Sequence, residues 1–118
     1  MQDFRKLGIY KRAIEYSTQV YKFSITLPAS EKYGLISQIR RAVSSIPLNI
    51  SEGAGCSSNR EFAVFTNYAY RSCNEVLACL ELIDKLRLCT DTQAIGRLAS
   101  EGAELSRMIY TFCKKLGG

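Results

Sequence analysis

The chain holds 118 residues and no histidine, so the commonest general base of enzymes is missing. Its carboxylates never occur in the Glu-x-x-His pairing that di-iron helix bundles use. Gly53-Ala54-Gly55 is followed by Cys56-Ser57-Ser58 and lacks the lysine of a phosphate loop. The five cysteines (Cys56, Cys73, Cys79, Cys89 and Cys113) are odd in number and show no CxxC spacing. Cys73 and Cys113 fall on apolar helical stripes and read as small core residues. Glu52 and Glu75 can be brought together across two helices, but such a pair reads as structural. The expectation is therefore a protein that is not an enzyme, with no metal and no other cofactor.

The basic residues suggest binding instead. Sixteen Lys and Arg against eleven Asp and Glu leave a formal net charge of +5, which favours polyanions. The candidates for nucleic-acid contact are Lys11, Arg12, Arg40, Arg60 and Arg71, and tyrosine stands close by in Tyr10-Lys11-Arg12 and Tyr70-Arg71. Arginine beside aromatic rings can hold phosphates and stack on bases. The alternative is that the tyrosines occupy the core boundary and the charges only solvate the surface.

The elements that must position these residues are helices. Tyr10, Ala13, Ile14, Ser17, Val20, Tyr21 and Ser24 give the first an inward stripe, from about Leu7 to Thr26. Leu27-Pro28 ends it, because a residue before proline is pushed out of the α region. The second is expected from a Ser30 cap to about Gly53, with Glu31 in its first turn. Ser58-Asn59-Arg60-Glu61 is a capping-box start for the third, which runs to about Leu88. The fourth begins near Thr90 or Asp91. Its Ile95, Leu98, Gly102, Leu105, Ile109, Phe112 and Leu116 form an a/d seam, and Gly117-Gly118 ends it. Four amphipathic helices with short turns predict a single all-α domain over residues 1–118, an up-down-up-down antiparallel four-helix bundle. No apolar run approaches a membrane span, and Met1-Gln2-Asp3-Phe4-Arg5-Lys6 has no signal-peptide character, so the cytoplasm is the expected compartment.

Helix two carries the most unusual pattern. Leu35, Ile39, Ala42, Val43, Ile46 and Ile50 form its core stripe. Gln38, Arg41, Ser45, Asn49 and Glu52 step by three, four, four and three, within roughly an 80° arc beside that stripe. This polar line is either a solvated face or a face packed against another helix or subunit, where each group needs a partner. Arg40 is expected to point outward. Pro47 removes an N–H and frees the carbonyl of Val43, so a kink near residues 43–47 is expected, with Ser44 or Ser45 supplying the missing donor.

The run Gln38-Ile39-Arg40-Arg41-Ala42-Val43-Ser44-Ser45-Ile46-Pro47-Leu48-Asn49-Ile50-Ser51-Glu52-Gly53 resembles a family signature, Q-x-R-R-A-x-x-S-I-P-x-N-I-x-E-G. The signature is that of the proteins encoded within intervening sequences of 23S ribosomal RNA genes. Tyr21, Phe23 and Pro28 resemble the family's end of helix one, and Glu31-Lys32-Tyr33-Gly34-Leu35 its entry to helix two. Ser72-Cys73-Asn74-Glu75 is similar to its G-S-x-x-E segment, with Arg71 where glycine is usual, and Ile9-Tyr10 stands near the usual tryptophan. The resemblance implies a four-helix bundle that assembles into a ring-like homopentamer. It also implies likeness in fold to the accessory variability determinant of diversity-generating retroelements, a basic pentamer that binds nucleic acid and a reverse transcriptase. No defined activity comes with the intervening-sequence branch itself.

Two functional readings follow. The chain is an RNA-associated oligomer acting through a basic surface, or it is a protein–protein scaffold for a partner such as a reverse transcriptase. A homo-oligomer is expected under both, since the polar line on helix two and the seam on helix four exceed what one small bundle needs to close. The structural or interface set is Gln38, Arg41, Ser45, Pro47, Asn49, Glu52, Ser72 and Glu75. Within it Arg41 is expected to be buried against Glu75 or Glu52, of its own or a neighbouring chain.

Overall fold

The computed structural model describes residues 3–118. After a 3-10 turn at Phe4–Lys6 come α1 (Gly8–Ile25), α2 (Leu35–Ala54), α3 (Asn59–Lys85) and α4 (Thr92–Lys115). No strand occurs among the described residues. Each helix packs on the next and α4 returns to α1, which leaves α1 and α3 diagonal to one another. The result is an all-α four-helix bundle of 44 × 23 × 20 Å.

Its core is filled by the stripes the spacing predicts on α2, α3 and α4, but α1 is turned from its expected phase: Ile14 and Tyr21 are exposed, while Ile9, Tyr16 and Phe23 are buried. Val20, Ile39, Val43, Ile46, Ile50, Val76, Leu80, Ile83, Leu105 and Ile109 are all essentially inaccessible to water. The α4 seam from Ile95 to Ile109 is consumed inside this core. It is therefore not a spare surface, contrary to the expectation that it exceeds the needs of one bundle. Three polar bonds cross the interior, one of them from the Cys113 thiol to the Ala63 carbonyl at 3.5 Å. The Tyr16 hydroxyl donates to the Leu98 carbonyl at 2.8 Å, and the Cys73 thiol donates to the Gly102 carbonyl at 3.2 Å.

The helix ends follow local chemistry. Ser58 caps α3 by accepting from the Glu61 N–H at 3.2 Å, and Asp91 caps α4 by accepting from the Ala94 N–H at 3.0 Å. The start of α2 differs from expectation. Ala29–Glu31 forms a separate 3-10 turn, and α2 begins at Leu35 with Gly34 as its cap residue. Gly34 has no side chain to offer, so the Glu31 carboxylate reaches over and accepts the Leu35 N–H at 3.3 Å. α3 and α4 end in the same way. The N–H of Leu88 bonds the Ile83 carbonyl and that of Arg87 bonds Asp84; Gly118 likewise bonds Cys113 and Gly117 bonds Lys114. The left-handed position is Arg87 (φ 55°) in one and Gly117 (φ 94°) in the other.

α2 runs through Pro47 without interruption. The carbonyl of Val43 finds its donor on the neighbouring helix. The Ser17 hydroxyl of α1 lies 2.7 Å from the Ala13 carbonyl and 3.1 Å from that of Val43. Ser44 and Ser45 do not supply it; they donate to Arg41 and Ala42 of their own helix. Both hydroxyls are drawn to the carbonyl three residues back, the acceptor a helical serine reaches most easily. At the far end of α2, Gly53 lets α3 approach. A Cβ there would stand 2.7 Å from Cδ1 of Phe62 and 2.9 Å from Cβ of Phe65.

Candidate nucleic-acid interface

The polar line of α2 is only partly engaged. Gln38 donates to the Glu75 carboxylate at 3.4 Å, and the Asn49 amide donates to the Ser45 carbonyl at 2.8 Å. Ser45, Asn49 and Ser72 are half-buried, whereas Arg41 and Glu52 are exposed. No carboxylate lies within ion-pair distance of Arg41 among the described residues. Its expected burial is therefore not found within the protomer. The reason is helical phase. At 100° per residue Arg41 is the member of the line farthest from the apolar arc, roughly 150° from its centre. Glu52 cannot meet Glu75 either. Glu75 stands level with Gln38, and Glu52 lies fourteen residues on, about 21 Å down the helix.

Arg40 also departs from expectation. It is half-buried between α1 and α2, where its Nε donates to the Ser24 hydroxyl at 2.7 Å. Its guanidinium lies 5.2 Å from the centre of the Tyr21 ring. Arg12 is half-buried too, and pairs with Glu104 of α4 at 3.1 Å. Lys11, Arg60 and Arg71 are exposed. Since α1 and α3 are diagonal, Lys11 and Arg12 do not share a face with Arg60 and Arg71. The structure thus divides the five candidate cations among separate surfaces.

One surface gathers cations and aromatic rings together. Between α3 and α4, toward the C-terminal end of α4, runs a groove of about 670 Å³. Arg60, Asn67 and Tyr70 line it from α3, and Tyr110 and Lys114 from α4; no Asp or Glu side chain lines it. The two tyrosine rings are 5.6 Å apart and tilted by 52°. The Lys114 ammonium lies 5.3 Å from the Tyr110 ring centre. Arg71 stands on the same side of α3 as Arg60 and Asn67, eleven and four residues on, close to whole turns. The cleft between α1 and α4 has a different character, with Glu101 and Asp91 beside Lys22 and Arg97.

Tyr110, Lys114 and Asn67 are absent from the sequence-based candidates. Tyrosine adjacent to a basic residue in sequence is a poor guide on a helix, because neighbours diverge by about 100°. The readable signal is the i, i+4 pair Tyr110 and Lys114.

Two interior groups are held in their protonated forms. Burial pushes the Cys73 thiol up to about 12, and burial together with the nearby Cys73 and Glu101 pushes the Tyr16 phenol up strongly. All five cysteines are free: Cys73, Cys79 and Cys113 are buried, while Cys56 and Cys89 are half-buried in the turns at opposite ends of α3. No group of His, Cys, Asp and Glu able to hold a metal occurs among the described residues. No helix among them is long and apolar enough to cross a membrane.

The profile of the 23S rRNA-intervening sequence proteins matches residues 5–111. The chain belongs to that family. The intervening-sequence bundle is similar to the 1.70 Å crystal structure of a protein of unknown function from the S23 ribosomal protein family of Bacteroides thetaiotaomicron. The TM-score is 0.79 at 22% identity, over 90% of this chain and 98% of the other. That likeness carries the fold. Comparison with curated proteins finds no match.

Proposed function

We propose that this intervening-sequence protein is a non-catalytic homo-oligomer that associates with RNA through phosphate contacts in the α3–α4 groove. The supporting observation is the groove's composition, with Arg60 and Lys114 at an aromatic wall and no Asp or Glu among its lining residues. Cations so placed release counterions when a polyanion binds, which makes affinity fall steeply with salt. Self-association rests on the family resemblance; Leu48, 62% exposed on the outer side of α2, is compatible with it. The five-subunit number rests on the same resemblance.

Gel shifts against structured RNA at two salt concentrations test the first part. Replacing Arg60, Arg71 and Lys114 with glutamine should weaken binding and lower the salt slope by about one for each phosphate that is no longer held. The corresponding change at Lys11, Arg12 and Arg40 should leave the slope nearly unaltered. Unchanged affinity in the first variant overturns the assignment of the groove. Light scattering that reports a monomer at micromolar concentration overturns self-association.

A further inference from the structure

The shape of the groove says more than its charge. We infer that it takes a single strand of RNA rather than a duplex, with one nucleobase stacked on the Tyr110 ring and flanking phosphates at Arg60 and Lys114. This rests on the RNA-binding reading above and narrows it.

The groove is a concave channel between two packed helices. Double-stranded RNA presents a broad cylinder, read by shape across its shallow minor groove, and its bases are already stacked on one another. A single strand has free base faces, and proteins meet them with aromatic rings in a cationic groove. Tyr110 is placed to do this. It is 49% exposed although it belongs to a core-facing helix, and Tyr70, 5.6 Å away, backs it from α3. Tyr110 is therefore an open ring on a supported edge.

Lys114 supplies the link between stacking and phosphate binding. In the free protein its ammonium sits over the Tyr110 ring, 5.3 Å from the centre. A cation over an aromatic face holds a place that a base can take. A base stacking there displaces the ammonium by a short swing of a flexible stem, and the freed charge meets the neighbouring phosphate. Arg60 stands in the first turn of α3, where the helix dipole adds to its attraction for an anion. From Arg60 to Arg71 the helix rises about 16 Å, a path for a few nucleotides. The Asn67 amide lies between them on the same side, with both donor and acceptor for a base edge or a 2′-hydroxyl.

The test uses the full chain with a short poly(A) strand, and with the same strand annealed to its poly(U) complement. Binding is followed by anisotropy of a labelled RNA and by protein fluorescence. The chain has no tryptophan, so its emission is that of its seven tyrosines. The strand should bind more tightly than the duplex and quench that emission. Tyr110→Leu should weaken strand binding at least about fivefold, the low end of what one base–aromatic stack contributes. Tyr110→Phe should keep it, since the ring remains. Circular dichroism melts of both variants establish that the bundle is intact, as expected for a side chain half exposed. Equal affinity for strand and duplex, with Tyr110→Leu unaltered, overturns the single-strand inference while RNA association stands. Binding of neither form overturns both.

Discussion

The two edges of α2 are held by different means. Toward α1, polar bonds cross between helices: Ser17 to the Val43 carbonyl, and Arg40 to Ser24 beneath the Tyr21 ring. Toward α3, the polar residues mostly serve their own helix or reach solvent, and cohesion comes from close apolar packing, tightest where Gly53 meets Phe62 and Phe65. The sequence neighbours Arg40 and Arg41 fall on opposite sides of this division. One guanidinium is half-buried and bonded, while the other is exposed. Residue type is the same, so the phase of each position relative to the apolar arc decides its role.

Breaking the α3 edge should have the largest effect. Gly53→Val places two methyl groups where Phe62 and Phe65 already stand, and should cost about 3 kcal/mol in urea denaturation, at the upper end of overpacking. On the α1 edge, Ser17→Ala removes the donor for a carbonyl that Pro47 leaves open, and should cost about 1–2 kcal/mol. Pro47→Ala gives that carbonyl back an intrahelical N–H. In that background Ser17→Ala should cost less than about 0.5 kcal/mol, a coupling that a double-mutant cycle reads directly. If the cost is the same in both backgrounds, Ser17 does not compensate for the proline.

Arg40→Ala comes next, at about 1–2 kcal/mol, from one charge-assisted bond and one cation–ring interaction. Arg41→Ala should fall within about 0.5 kcal/mol, as other exposed positions do. Both are compared at one protein concentration, since assembly would shift apparent stability. A larger loss for Arg41→Ala than for Arg40→Ala would reverse the comparison. It would mean that another copy covers the exposed edge, and light scattering of that variant should then show the assembly dissociating.

Much of the bundle is legible without the structure, because helical periodicity is a local signal. The Ser58 cap and the α4 seam need only spacing and residue type, whereas the stripe expected on α1 is out of phase in part: Ile14 and Tyr21 are exposed, and Ile9, Tyr16 and Phe23 are buried in their place. What escapes depends on partners distant in sequence. The donor for Val43 lies twenty-six residues back, on another helix. The Tyr70–Tyr110 pair joins α3 to α4. Arg40 reads as outward because its angle from the core stripe is large; the sequence does not show that the α1 side of that angle is occupied by Ser24 and Tyr21. The five cations look like one population because linear order does not reveal that α1 and α3 are diagonal.

The uneven burial of the thiols turns the chain into a molecular ruler. Cys73, Cys79 and Cys113 are shielded, whereas Cys56 and Cys89 can be reached by a label at either end of α3. Burial and the nearby Glu61 and Glu52 push the Cys56 thiol up, so its labelling quickens in mildly alkaline buffer. α3 has 27 residues, so the two labels stand about 40 Å apart within one copy. With Cys89 replaced by serine, every remaining spin–spin distance from Cys56 is a distance between copies. A closed ring then yields a small set of discrete separations, fixed by the number of its members, and pulsed electron resonance can count them.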